Sequence, residues 1–283
     1  MATTRRWRGN VMLMVAPNGA RRTTADHPAL PVTPGALAET AEACAQAGAA
    51  AIHLHVRDEA QRHSLDAGRY RAAMAAIAAR VGQRILVQVT TEAAGMYDRT
   101  AQMQVVRDLV PPAVSLALRE LVPDDAEETL ETAASFFRWL GEAGVAPQYI
   151  LYSPADVVRF GRLKAAGVIP QGRPFLLFVL GRYGADPGEP AQLGAFLEAR
   201  RGLSCAWMAC AFGPREAQVA LTAVEAGGHV RIGFENNLQL PDGRPARDNA
   251  ELVTATRALL EAAGHAVMDV DAARDLLAET ARI

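Results

Sequence analysis

Ile52-His53-Leu54-His55-Val56-Arg57-Asp58 ends an apolar run that starts at Ala49, and its reading decides how the rest of the chain is understood. A strand sends every second side chain to the same face, so His53 and His55 point the same way. One histidine in an apolar strand reads as a satisfied core residue. Two at this spacing, followed at once by Arg57 and Asp58 where the strand runs out, read instead as half of a metal site. Charged residues at the C-terminal end of a strand suit the mouth of an α/β barrel or sheet. A divalent metal on two imidazoles needs at least one more ligand, normally His or a carboxylate, and an open position if it is catalytic.

The chain has 283 residues, half of them hydrophobic, enough for one large α/β domain or two small ones. A formal net charge of −2 and a pI near 6.3 supply no global drive toward nucleic acid or an anionic membrane. Substrate recognition must then be local. Cys44, Cys205 and Cys210 are too few and too irregularly spaced for a disulfide framework or a cysteine-based zinc site. They read as reduced core residues of a cytoplasmic protein. After Arg5, Arg6 and Arg8 the apolar run Val11 to Ala16 is shorter than a signal-peptide core or a membrane span. Trp7 among these arginines, in an N-terminal extension over residues 1–10, offers an apolar feature for a neighbouring subunit to cover.

Strand-length apolar runs alternate with alanine- and leucine-rich segments of helical period. The predicted strands are Val11–Ala16, Ala50–Val56, Ile85–Thr90, Ala113–Leu118, Gln148–Tyr152, Phe175–Leu180, Cys205–Ala211 and His229–Phe234. Helices are predicted near Pro34–Ala47, Ala67–Val81, Tyr97–Leu109, Ala126–Ala143, Pro154–Ala166, Pro190–Ala199, Pro214–Ala226 and Asn249–Ala263. Prolines stand just inside several helix starts, and Gly48, Gly82, Gly144, Gly167, Gly202 and Gly227 just past the ends. Eight βα units in one domain's length point to a single (β/α)₈ barrel, with a doubly wound sheet as the alternative. In a barrel, chemistry belongs to the strand ends: Asn18, Gly19, Arg21 and Thr24; Thr90, Thr91 and Glu92; Arg119 and Glu120; Tyr152 and Ser153; Gly181, Arg182 and Tyr183. Closure sets the first strand between the second and the eighth, so Glu235 can reach His53 and His55 as the third ligand. Arg231 is spaced to point inward with Glu235, as an ion-pair partner or as a clamp for a substrate carboxylate.

Asn18-Gly19-Ala20, the run from Asp26-His27-Pro28 to Pro34, His53-Leu54-His55-Val56-Arg57-Asp58, Phe178-Val179-Leu180-Gly181 and Gly228-His229-Val230-Arg231-Ile232-Gly233-Phe234-Glu235-Asn236-Asn237 resemble the β-keto acid cleavage enzymes, whose founding activity is 3-keto-5-aminohexanoate cleavage. The resemblance implies a (β/α)₈ barrel, a zinc-type metal on the two histidines and the glutamate, and an oligomer, commonly a tetramer. It also implies condensation of a β-keto acid with acetyl-CoA and splitting of the adduct to acetoacetate and a new acyl-CoA. The catalytic candidates are then Arg231, Glu120 and Asn236, and the substrate-binding ones Arg21, Thr90, Thr91, Ser153 and Arg231. Three residues depart from the pattern. Arg21 stands where the founding member has an acid for the substrate's amino group, Asn236 where an Asp often follows the metal-binding Glu, and Ser153 where a Glu is expected. Asn cannot serve as a general base, which leaves Glu120 or Glu92 to replace it. Arg21 favours an anionic or polar distal end over an amine. Two other readings compete: a metal-dependent hydrolase of the amidohydrolase type, and a barrel that binds a keto acid or acyl-CoA without turning it over.

Overall fold

The apolar runs pair in parallel and close on themselves. A computed structural model of the chain, describing residues 10–281, contains ten strands: β1 (Leu13–Val15), β2 (Ala51–Leu54), β3 (Val56–Arg57), β4 (His63–Ser64), β5 (Leu86–Thr90), β6 (Ala113–Ala117), β7 (Ala146–Leu151), β8 (Phe175–Leu180), β9 (Ala206–Ala211) and β10 (His229–Ile232). Eight form a closed barrel in the order β1-β2-β5-β6-β7-β8-β9-β10. β1 pairs on one side with β2 and on the other with β10, so the doubly wound alternative is ruled out. The extension expected over residues 1–10, with Trp7, lies outside the described residues apart from Asn10.

Helices cover the barrel: α1 (Pro34–Ala47), α2 (Ala67–Val81), α3 (Arg99–Leu109), α4 (Leu118–Leu121), α5 (Glu127–Glu142), α6 (Pro154–Ala165), α7 (Leu193–Ala199, preceded by a 3₁₀ turn over Pro190–Gln192), α8 (Glu216–Glu225), α9 (Asn249–Ala262) and α10 (Val270–Ala281). Their starts follow the sequence signals. Thr33, Asp66, Asp98, Ser153 and Asp248 accept hydrogen bonds from first-turn amides of α1, α2, α3, α6 and α9. Gly48 ends α1 in the left-handed conformation. No helix among the described residues is long and apolar enough to cross a membrane.

Four elements lie outside the predicted set. α4 is a single turn directly after β6, and β3 and β4 make a small antiparallel hairpin beyond β2. Both are too short to carry a periodicity. α10 is amphipathic and lies beyond the eighth βα unit. Its Ala273, Leu276 and Leu277 pack inside the barrel with Met12, Leu86, Ala146 and Phe175, which lie at or beside the N-terminal ends of their strands. α10 therefore seals the bottom of the barrel, each buried leucine contributing roughly 1.5–3 kcal/mol. The opposite mouth is left open.

At that mouth β10 turns sharply over β1. Gly233 has φ +138°, and a Cβ there would lie 2.4 Å from the Ala16 carbonyl oxygen. Only glycine fits both the dihedral and the space. The turn lets the Glu235 amide donate to Ala16 O at 3.0 Å, fixing the exit of β10 against that of β1. Gly233→Ala is expected to cost about 2–4 kcal/mol from strain and overpacking. A thermal melt coinciding with wild type would show that the turn has room to relax.

Candidate metal centre

β2 carries His53, and His55 follows directly after its last residue, Leu54. His53 is 1% and His55 0% exposed, with their Nε2 atoms 3.1 Å apart. His53 Nδ1 bonds Gln88 Oε1 at 2.8 Å, and the Gln88 amide in turn donates to Gln148 Oε1 at 3.2 Å. A proton on Nδ1 leaves the Nε2 lone pair facing the mouth, which is the tautomer a metal requires. Burial pushes His53 down to about 4 and His55 to about 3. Both rings are therefore neutral at pH 7.

Glu235 arrives from the other side of β1. Its Oε2 is 3.6 Å from His53 Nε2 and 3.4 Å from His55 Nε2. Burial opposes its charge, but the Arg231 guanidinium holds the carboxyl well below the usual carboxylate range. One ligand atom from each of the three residues lies within 4.8 Å of the others. Glu235 Oε2 and His55 Nδ1 are buried without a hydrogen-bond partner. A buried carboxylate oxygen left bare beside two imidazole lone pairs fits a divalent cation, because the alternative is an uncompensated desolvation cost. Gly19 makes room for the ligand: a Cβ there would meet Glu235 Cγ at 2.5 Å.

The surrounding loops are tied by buried side chains. Asn18 Nδ2 donates to the carbonyls of Pro31 (2.9 Å) and His55 (3.1 Å). Arg57 donates to carbonyls of Asn18, Gly19 and Arg22, clamping the loop after β1 onto the hairpin. Glu216 accepts from the Gly233 amide (3.1 Å) and Asn237 Nδ2 (3.3 Å), bracing the segment that carries Glu235. His63 packs against His55 at 5.2 Å between ring centroids and bonds the Glu92 carbonyl at 2.8 Å, so it is not a further ligand.

A cavity of about 310 Å³ opens beside the triad, lined among others by His53, Thr90, Glu92, Arg119, Tyr152 and Arg231. Arg231 donates to Glu235 Oε1 at 3.0 Å and to Cys210 Sγ at 3.4 Å, while its Nε and Nη1 are buried without partners. Burial, then repulsion from Glu235 and Glu120, pushes the Glu92 carboxyl up to about 7, and it lies 3.9 Å from His55 Nε2.

The other expected site residues are placed less directly. Thr90 lines the cavity, but the Thr91 hydroxyl is turned onto the Ser115 carbonyl at 3.1 Å. Ser153 caps α6 and borders an adjoining cavity of about 530 Å³ instead. Asn236 is fully buried and lines neither cavity. Glu120 accepts from the Ala93 amide at 3.1 Å, and burial raises its pKa. Arg21 lines the cavity, its guanidinium 5.9 Å from the Tyr183 ring centroid. The sequence reading passed over Gln88, although a Gln two residues before Thr90 shares its inward face, and over Phe212, whose apolar strand gave no such signal.

These features define a (β/α)₈ barrel with a His-His-Glu cluster of metal-ligating type at its C-terminal mouth. The amidohydrolase alternative needs further histidine ligands, and no other metal-ligating cluster occurs among the described residues. The chain matches the beta-keto acid cleavage enzyme family over residues 10–278 and belongs to it. The 3-keto-5-aminohexanoate cleavage enzyme of Fusobacterium nucleatum is 30% identical over 262 residues, covering 92% of this chain and 94% of that one. The 3-oxoadipate:acetyl-CoA acetyltransferase of Cupriavidus necator is 27% identical over 273 residues, 94% of each chain. Among solved structures, ObcA in binary complex with oxaloacetate shares the fold with a TM-score of 0.70 and 19% identity, over 88% of this chain and 67% of that one.

Two outcomes check the site. His53→Ala should abolish stoichiometric metal binding by elemental analysis while leaving the far-ultraviolet circular dichroism unchanged, since the core lies below the mouth. Glu216, which burial pushes up to about 8 from 4.5, bears on pH stability. Above pH 4.5 the unfolded chain gives up this proton while the folded one keeps it to about pH 8, so Glu216 subtracts stability as pH rises through that window. Glu216→Gln should therefore flatten the decline in denaturation midpoint across it; a parallel decline in wild type and variant would place the Glu216 pKa elsewhere.

Proposed function

We propose that this protein is a zinc-type metalloenzyme that cleaves a β-keto acid with acetyl-CoA, releasing acetoacetate and a new acyl-CoA. The observation that carries the reading is the set of bare groups at one point of the cavity: Glu235 Oε2 and two donors of Arg231, buried without partners, beside the Nε2 atoms of His53 and His55. A divalent ion held by these three ligands would supply a Lewis acid for the keto oxygen. The unpartnered Nε and Nη1 of Arg231 suit the substrate carboxylate, with the Thr90 hydroxyl beside it.

Glu92 is the base in this reading. Its carboxylate lines the cavity, whereas Glu120 is engaged by a backbone amide and Asn236 is buried outside it. Glu92 takes a proton from the carbon between the keto and carboxyl groups, and that carbon attacks the thioester carbonyl and displaces the CoA thiolate. The thiolate adds to the original keto carbon, the bond between the two substrate carbons breaks, and the acetoacetate carbon recovers the proton from Glu92. The adjoining cavity shares Tyr152, Val179, Gly181 and Arg182 with the first and has room for part of the pantetheine arm. Arg21 gives the mouth a positive wall that disfavours an amine and favours an anionic or polar distal end. The reading includes one domain over residues 1–283, a cytoplasmic location that the buried free thiols suit, and a homotetramer as the family resemblance implies.

The test is acetoacetate formation from a panel of β-keto acids. Product is expected only with acetyl-CoA present; turnover with water alone would indicate a hydrolase, and binding without turnover a non-catalytic barrel. Glu92→Gln should lower kcat by roughly a hundredfold or more while retaining zinc. Arg21→Glu should shift the preference toward 3-keto-5-aminohexanoate by about one to two orders of magnitude. Unchanged preference would remove Arg21 from substrate selection.

A further inference from the structure

The cavity is richer in arginine than its carboxylates require. Arg231 is committed to Glu235, but Arg21, Arg119 and Arg182 also line the space, and none of the three has an ion-pair partner within 4.0 Å among the described residues. Arg119 is the most firmly placed. It sits in the single turn of α4 directly after β6, and its guanidinium carbon lies 3.7 Å from the Tyr152 ring centroid. Stacking on an aromatic face fixes the guanidinium plane and leaves its edge free to donate in bidentate fashion. The neighbouring Glu120 carboxylate is turned to the Ala93 amide instead.

Barrel order gives this position its meaning. The ligands come from β2 and from the segment after β10, the two strands flanking β1, and β7 lies directly opposite β1 in the ring of eight. Tyr152 follows β7, so Arg119 and Tyr152 stand across the mouth from the metal triad. Arg21 starts from the triad's side, after β1, and reaches over the mouth to within 5.9 Å of the Tyr183 ring beyond β8. On the Arg119 side the lining includes apolar Ala117, Ile150 and Val179, from β6, β7 and β8. Two cationic poles on opposite sides of a partly apolar cavity match a molecule with two anionic ends and methylenes between them.

We propose that Arg119, held on Tyr152, is a specificity-determining residue that binds the distal carboxylate of a 3-oxo dicarboxylic acid. This rests on the β-keto acid reading above and locates the anionic end across the barrel from the metal.

The test pairs binding with turnover on the zinc-loaded enzyme. Adipate and hexanoate serve as unreactive probes in calorimetry, and 3-oxoadipate and 3-oxohexanoate, which differ only in a terminal carboxylate replacing a methyl group, as substrates. Arg119→Gln is expected to weaken adipate relative to hexanoate by roughly tenfold or more, and to lower the ratio of kcat/KM for 3-oxoadipate over 3-oxohexanoate by a similar factor. Arg119→Lys should recover part of both, and Arg21→Gln should change the ratio less than Arg119→Gln. Equal weakening of both acids, a rise confined to the KM for acetyl-CoA, or wild type that does not favour adipate would overturn the assignment. If neither keto acid is turned over while adipate binding still depends on Arg119, the cleavage reading fails and the carboxylate clamp stands.

Discussion

A carboxylate buried against two uncharged imidazoles is the constraint around which this mouth is built. Glu235 has little water to solvate it, and what keeps it ionised is Arg231 on one oxygen, while the other faces the histidine pair without a hydrogen-bond partner. Such a group is costly to bury alone and becomes favourable only when a cation completes it. The arrangement therefore suits a cation held by His53, His55 and Glu235.

The supporting residues follow from that requirement. Closure between β10 and β1 brings Glu235 within reach of β2, and two glycines stand at that seam: a Cβ on Gly19 would strike the Glu235 side chain and one on Gly233 the Ala16 backbone. Glu216 and Asn249 hold the segment from below: Asn249 Oδ1 accepts from the Phe234 amide at 2.9 Å while its Nδ2 donates to the Pro17 carbonyl at 3.0 Å. Gln88 sets the tautomer of His53. α10 closes the other end, so the mouth is where the barrel interior meets solvent.

Much of this was legible in the sequence because it rests on short-range periodicity. The alternation of apolar runs and capped helices gave eight strands within a few residues of those observed, and α1 and α2 at their observed limits. The His53–His55 spacing and the closure argument brought Glu235 to the same point. What could not be read was the direction of side chains beyond strand ends. Thr90 and Thr91 are adjacent, yet the first faces the cavity and the second the Ser115 carbonyl. Likewise Tyr152 lines the site whereas Ser153 caps a helix. Loops have no fixed period, so neighbouring polar residues cannot be ranked without coordinates. The hairpin of β3 and β4 and the α4 turn were invisible for the same reason, and α10 because nothing in the eight-unit rhythm calls for it.

The central claim is that the positive charge missing from this site is a catalytic metal. It is tested most directly by titrating zinc into metal-stripped protein while following acetoacetate formation from acetyl-CoA and a β-keto acid. The account requires turnover to rise in proportion to added zinc and to break at one ion per chain. Full turnover in the stripped protein, or saturation of zinc binding without the appearance of acetoacetate, would contradict it.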